Sequence, residues 1–331
     1  MGDQTLAFWV REPGCGQIQS EPLVAPGPDE VLVRTLHSGI SRGTESLVFT
    51  GRVPASQQQR MRAPFQQGDF PGPVKYGYLN VGVVEQGPPD LLGQRVFCLY
   101  PHQAAFVVPS RAVTVLPDAV PSDRAVLTGA VETAINALWD ARPLIGDRVT
   151  VVGAGMIGCA VARLAVGIPG VEVELVDTDT SRAEIAAALG VDFAAPSDAR
   201  LDRDLVFHTS ATSAGLQLCL ELLADEASVV EMSWYGDADV TVGLGAAFHS
   251  RRLSVKASQV GRVSPAMAGR RTTAQRLQLA VTLLRDPAFD VLLSGHSAFA
   301  DLPSTMRDIT TSHLPAICHV IDYPEESPCS A

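Results

Sequence analysis

The sequence predicts an α/β protein of two domains, a β-rich one followed by a doubly wound parallel sheet, and three observations carry that prediction. Residues 1 to about 125 form short strand-like runs punctuated by Gly and Pro. From Ser122 the pattern changes to helices alternating with strands, which implies a parallel sheet covered on both faces. Within that second part, a glycine-rich turn after Val152 joins a short apolar strand to a helix.

The chain has 331 residues, enough for two separate cores. In the first domain, strands are expected over residues 5–10, 30–36, 80–85, 95–99, 105–108 and 112–116. Residues 51–69 are polar and rich in Gln and Arg, and read as a loop with one helical turn or two. Residues 122–140 read as a helix. Ser181 and Glu184 have the spacing of a capping box for the helix that Gly190 stops. Strands at 205–209 and 228–233 flank a helix across 216–223, a long helix covers 272–284, and short strands are expected from there to the end. The expected domains are 1–125, completed by 260–331, and 126–259.

The glycine turn carries the chemistry. Val149 to Val152 has the length and valine content of a buried parallel strand. Gly153, Gly155 and Gly158 follow in the spacing G-x-G-x-x-G, and Ile157, Val161, Leu164 and Ala165 then share one helical face. Residues 171–176 form a second strand that ends at Asp177, 19 positions after Gly158. Gly153 permits the tight turn, Gly155 lets the backbone approach a pyrophosphate, and Gly158 lets the helix lie close on the sheet. Free N–H groups at Met156 and Ile157 face the phosphates. Asp177 accepts from both hydroxyls of an adenosine ribose and repels a 2′-phosphate, so NAD is expected before NADP. An ordinary glycine turn is the alternative, but it would not need the flanking strands, helix and acid. This is a Rossmann unit.

Composition sets the outer bounds. Hydrophobic residues make up 46% and charged residues 18%, as in ordinary soluble globular chains. The net charge of −11 argues against nucleic acid or an anionic membrane surface as a partner. No apolar run approaches the ~20 residues that span a bilayer, and the N-terminus MGDQTLAFWV lacks the features of a signal peptide. The six cysteines are scattered, without a C-x-x-C pair. A cytoplasmic location with free thiols is the expectation.

The order of domains resembles the medium-chain dehydrogenase/reductase superfamily over nearly the whole chain. The resemblance is carried by Ser38-Gly39-Ile40-Ser41-Arg42-Gly43-Thr44-Glu45, Gly77-Tyr78-Leu79-Asn80-Val81-Gly82, Glu132-Thr133-Ala134 and the GAGMIG turn. Within the superfamily, the first stretch and the Tyr after Gly77 look most like the branch that contains bacteriochlorophyllide dehydrogenases. The resemblance implies a GroES-like catalytic domain, a Rossmann domain that binds NAD, a small-molecule substrate held between them, and a homodimer. It also implies that Thr133 lies beside the nicotinamide and that a basic residue at Arg182 touches the ribose. Thr178, Thr209, Ser233, Trp234 and Ser258 complete the expected cofactor contacts.

The same resemblance shows a departure. Zinc-dependent members have a Cys where this chain has Ser41, a His-Glu pair where it has Tyr78-Leu79, and a Cys or Asp near Gly129. A catalytic zinc needs about three N, S or carboxylate ligands, and the four-cysteine lobe of a structural zinc is missing too. No metal is expected, although a site rebuilt from Glu45, Asp69, His102 and Glu132 stays open.

Without zinc, another group must act on the substrate oxygen. Tyr78 stands at a ligand position, and a neighbouring Lys75 would lower its phenol pKa from ~10. The competing reading is a strand with aromatic packing and a solvated lysine. Thr44, His102 and Glu132 are the other candidates. Thr44 is displaced by one residue from the family pattern, a lone His is more often structural, and Glu132 suits orienting the nicotinamide amide and capping its helix equally. His208, His249, His296, His313 and His319 have no partner visible in the sequence and read as structural. Arg52, Arg60 and Arg62 would suit a carboxylate or phosphate on the substrate, but a solvated surface loop is the stronger reading. Three functions remain open: a zinc-independent NAD-dependent dehydrogenase of secondary alcohols and ketones, a reductase of activated C=C bonds, and a nucleotide-binding protein without catalysis.

Overall fold

The computed structural model describes residues 4–324. By internal contacts the chain divides into two compact units, Met1–Gly129 with Leu293–Ala331, and Ala130–Leu292.

The first unit begins with a hairpin of β1 (Gln4–Glu12) and β2 (Cys15–Pro22). β3 (Glu30–Ser41) follows and runs directly into α1 (Arg42–Phe49), which buries Glu45, Val48 and Phe49. A 3₁₀ turn at Ala55–Gln57 sits in the polar loop, as expected. The unit continues with β4 (Gln67–Gly68), β5 (Val74–Lys75), β6 (Asn80–Gln86), β7 (Arg95–Cys98), β8 (Ala105–Pro109) and β9 (Val113–Val115). A 3₁₀ turn at Arg124–Leu127 precedes α2 (Thr128–Ala141), so the helix expected from residue 122 starts in two steps.

The second unit alternates strictly. Its elements are β10 (Arg148–Val152), α3 (Met156–Ala165), β11 (Glu172–Val176), α4 (Arg182–Leu189), β12 (Asp192–Ala194), β13 (Arg203–His208), α5 (Ser213–Leu222) and β14 (Leu223–Glu231). A short α6 (Ala247–Ser250), β15 (Ser254–Ala257) and α7 (Thr273–Leu283) complete it. The sheet order is β12-β11-β10-β13-β14-β15, with every pair parallel. The strand order reverses direction at β10, and ligands of such sheets bind beyond the carboxyl ends at that point. The glycine turn is placed there.

The chain then returns to the first unit with β16 (Leu293–Ala298), α8 (Leu302–Thr310) and β17 (Cys318–Asp322). One sheet of that unit runs β16-β17-β3-β6-β7-β9, with β8 also on β3, and a smaller one runs β2-β1-β5-β4. Val31, Val33, Val84, Val96, Phe106 and Val108 pack as one core cluster. They come from alternate positions of strands that bury one face.

Four expectations change. Residues 260–292 group with the second unit, because α7 carries Arg276, whose buried guanidinium pairs with Glu132 at 3.0 Å and caps the carbonyls of Val260 and Arg262. β2 was not expected, since its sequence is polar and only pairing with β1 makes it a strand. α8 falls where short strands were expected. Ser181 makes no capping box: its hydroxyl and N–H both go to Asp179.

Candidate active site

In the second unit, β10 ends at Val152 and the chain turns at Gly153 with φ +112°, a conformation that suits glycine alone. A Cβ at Gly153 would meet Ser210 N at 2.7 Å, and one at Gly158 would meet Gly153 O at 1.9 Å. Both glycines are therefore required by close backbone packing. Gly155 differs, because a Cβ there would meet nothing within 4 Å. It is exposed and precedes Met156 and Ile157, the first residues of α3, with no side chain capping their N–H groups. An open, donor-rich helix start is what a pyrophosphate needs.

Asp177 lies at the end of β11 beside this turn. Its Oδ2 accepts from Ala154 N at 2.7 Å and its Oδ1 from Asp179 N at 2.9 Å. The carboxylate is thus held in place by backbone donors before any ribose arrives. Thr178 is exposed next to it. Arg182 gives its guanidinium to Asp179 at 3.1 Å. Thr209 donates its hydroxyl to Gly153 O at 2.8 Å, and Ser258 donates to Asp140 at 2.7 Å. Trp234 and Thr133 are half-buried. These residues fit NAD, and the geometry brings the glycine turn, Asp177 and Thr209 into one place.

One cluster beside the turn escaped the sequence reading. His208 is fully buried at the end of β13, with Nδ1 2.7 Å from Glu231 and Nε2 2.7 Å from Ser210 Oγ. Tyr235 donates to Glu231 at 2.8 Å, Glu231 accepts from Ser233 N at 2.7 Å, and Ser233 Oγ accepts from Ala211 N at 3.1 Å. His208 is therefore not without partners. The cluster ties the loop after β13 to the loop after β14. Its signal was faint in the sequence: a His and a Glu that each end a buried strand.

The first unit holds a second polar group. The hydroxyls of Ser41 and Thr44 hydrogen-bond to the Tyr78 phenol. Burial, and next the nearby Glu45 carboxylate, push that phenol up to about 12. Glu45 is buried: Oε1 accepts from Ser41 N at 2.7 Å and Oε2 faces His102 Nε2 at 2.8 Å. The other ring nitrogen of His102 contacts Ser38 Oγ at 2.7 Å, and Ser38 reaches Tyr323 at 3.0 Å. Gly77 has φ +124°, and a Cβ there would meet the His102 ring at 2.8 Å. The glycine before Tyr78 is thus set by His102. Tyr78, Thr44 and His102 gather here. The sequence reading missed Ser38, Ser41 as a phenol partner, and Tyr323.

Two candidates have other employment. Lys75 is 1% exposed and donates to Glu21 at 2.7 Å and Gln103 at 2.6 Å. It is not solvated and does not lower the Tyr78 phenol, which moves the opposite way. Burial is also the first cause that lowers the Lys75 ammonium itself. Glu132, in the second unit, is raised by burial and answers Arg276, as described above. Of the loop arginines, Arg62 binds Asp69 at 2.5 Å.

The donors present do not fit a catalytic zinc. Ser41 and Tyr78 offer only a hydroxyl and a phenol and Gly129 no side chain, and Glu45 and His102 pair with each other. Cys318, close enough for Glu45 to act on it, is held protonated by burial, at about 12. Among the described residues no three His, Cys, Asp or Glu side chains come together in a group that could hold a metal ion.

No family model matches the chain. It is 27% identical over 277 residues to 2-desacetyl-2-hydroxyethyl bacteriochlorophyllide A dehydrogenase of Cereibacter sphaeroides, covering 77% of this chain and 81% of that one. L-idonate 5-dehydrogenase of Escherichia coli superposes with a TM-score of 0.79 at 16% identity, over 97% of this chain and 99% of the other. An Escherichia coli alcohol dehydrogenase complexed with NADH does so with a TM-score of 0.76 at 16% identity, over 97% and 100%. The resemblance read from the motifs is thus matched by similar sequences and by similar folds, and the chain has a β-rich GroES-like unit and a Rossmann unit.

Proposed function

We propose that this chain is a zinc-independent, NAD(H)-dependent oxidoreductase that interconverts a secondary alcohol and a ketone on a small molecule, with Tyr78 acting on the substrate oxygen. The observation that carries the reading is the Tyr78 phenol, bonded by Ser41 and Thr44 and held protonated up to about 12. A phenol that keeps its proton serves as a donor, so it suits ketone reduction better than proton abstraction from an alcohol.

The glycine turn and the start of α3 would hold the pyrophosphate, and Asp177, fixed by two backbone donors, would take the adenosine ribose. NADH, when bound there, would supply a hydride to the carbonyl carbon. As charge develops on the carbonyl oxygen, Tyr78 donates its proton there. The Ser41 and Thr44 hydroxyls then stabilise the phenolate that remains. The His102–Glu45 pair keeps the backbone of Ser41 in place, and with it that hydroxyl.

Zinc independence is supported by the donor set at the ligand positions. A homodimer is part of the same proposal, supported by β15, which ends the parallel sheet with all four side chains exposed. A cytoplasmic location is supported by free thiols at Cys15, Cys98, Cys159, Cys219 and Cys318. No helix among the described residues is long and apolar enough to cross a membrane.

The test is a screen of secondary alcohols, ketones and enones at the nicotinamide absorbance band, with NADH and NADPH titrated by fluorescence. Turnover of ketones or alcohols with NAD(H) supports the reading. Turnover of enones alone transfers the protein to C=C reduction, and nucleotide binding without any turnover leaves a binding protein.

A further inference from the structure

Asp179 stands between the ribose-reading acid and α4, and each of its oxygens is committed. Oδ1 accepts from Ser181 N at 3.1 Å and from Ser181 Oγ at 2.6 Å. Oδ2 receives Arg182 Nε at 3.1 Å. The Ser181 bonds, first among the causes, hold the Asp179 carboxyl below its usual range, so it is ionised at neutral pH.

Arg182 is the cation in this corner. Its side chain is only 15% exposed, and both Arg182 and Asp177 act electrostatically on the Cys159 thiol. A guanidinium within reach of the same point as Asp177 is suited to bind a phosphate on the adenosine ribose, with its fork of donors. Asp179 engages the Nε of that guanidinium and offsets part of its charge.

We infer that Asp179 is a specificity-determining residue for the cofactor: by holding Arg182, it leaves the carboxylate of Asp177 unopposed where a 2′-phosphate would lie. The inference rests on the NAD reading above and deepens it. A 2′-phosphate adds about −1.5 to −2 of charge at neutral pH. Facing two carboxylates and one committed guanidinium, it is repelled on balance. With Arg182 released, the same phosphate gains a charge-assisted partner.

The experiment is a fluorescence titration of NADH and of NADPH on the full chain and on Asp179→Asn, Arg182→Ala and the double variant. Asparagine keeps an oxygen that accepts from Ser181 N, so the turn before α4 retains its acceptor, and a melting curve for each variant checks this. Asp179→Asn should tighten NADPH by up to about fivefold, the factor that ~1 kcal/mol of a released ion pair corresponds to. Its NADH affinity should move by less than about twofold, the scatter of a lost exposed charge. The gain should vanish in the double variant and shrink as salt is added. An unchanged NADPH affinity, an equal gain for both nucleotides, or a gain that survives Arg182→Ala would overturn the inference while leaving the NAD reading intact. Failure of the unsubstituted chain to bind either nucleotide would overturn both.

Discussion

His102 Nε2 and Glu45 Oε2 lie 2.8 Å apart in the interior of the first unit, and each group uses its remaining polar atom on a serine, Ser38 Oγ and Ser41 N. Neither is left for a metal. Purified protein should therefore contain far less than one zinc per chain, and chelation should leave activity and melting temperature unchanged. Stoichiometric zinc by elemental analysis would mean that the pair opens to take a metal.

Lys75 belongs to the stability of the first unit. Its ammonium answers Glu21 and Gln103, and Glu21 also accepts from Trp9. Lys75→Met should cost toward the lower end of the about 3–5 kcal/mol typical of a broken buried pair, because Glu21 keeps Trp9 and some solvent. The pH–rate profile should not move. A shifted alkaline limb in that variant, with stability preserved, would restore Lys75 as a tuner of the phenol.

Tyr78→Phe removes the proposed donor and keeps the ring. A positioned acid contributes about 10²–10⁴-fold, so kcat for ketone reduction should fall by that factor with NADH affinity unchanged. Near-full activity would hand the role to Thr44 or to a solvent proton. Thr44→Val should give a smaller loss, since Ser41 still bonds the phenol.

The alkaline limit of stability follows from burial. All five tyrosines, Tyr76, Tyr78, Tyr100, Tyr235 and Tyr323, have phenols raised by desolvation first of all. In an unfolded chain a tyrosine titrates at ~10. Above that pH the unfolded chain loses protons which the folded chain keeps, so this stabilisation is complete below ~10 and is lost as the pH rises toward the folded values. The buried thiols of Cys98, Cys159, Cys219 and Cys318 act in the same sense from ~8.5 upward. The urea midpoint should hold below that pH and drop steeply above ~10. A native protein that shows half its phenolate absorbance at pH ~10 would contradict the buried environment of these rings.

Asp177 sets the choice of nucleotide in the proposed reading. NADH should bind at least about tenfold more tightly than NADPH, a difference of ~1.4 kcal/mol. Asp177→Ala should narrow that gap, and it should also lower the melting temperature, because Ala154 N and Asp179 N lose their acceptor. Equal affinities in the unsubstituted chain would remove the assignment.

The Rossmann unit was legible in the sequence because its determinants are local. A strand, three spaced glycines, a helix and an acid all fall within Arg148–Asp177, and the parallel register of β10 with β11 follows from that one crossover. The succession of strands in the first unit was legible too, from alternation and punctuation. Partners across the fold were not. Lys75 meets Glu21 from 54 positions away, His102 meets Glu45 from 57, and Glu132 meets Arg276 from 144. Alternation tells which face of a strand a side chain takes, but only the pairing of distant strands and helices decides which group waits there. That is why the sequence alone identified Tyr78 as a candidate, while the tertiary structure decided that Lys75 is buried against Glu21 and that Ser41 and Thr44 hold the phenol.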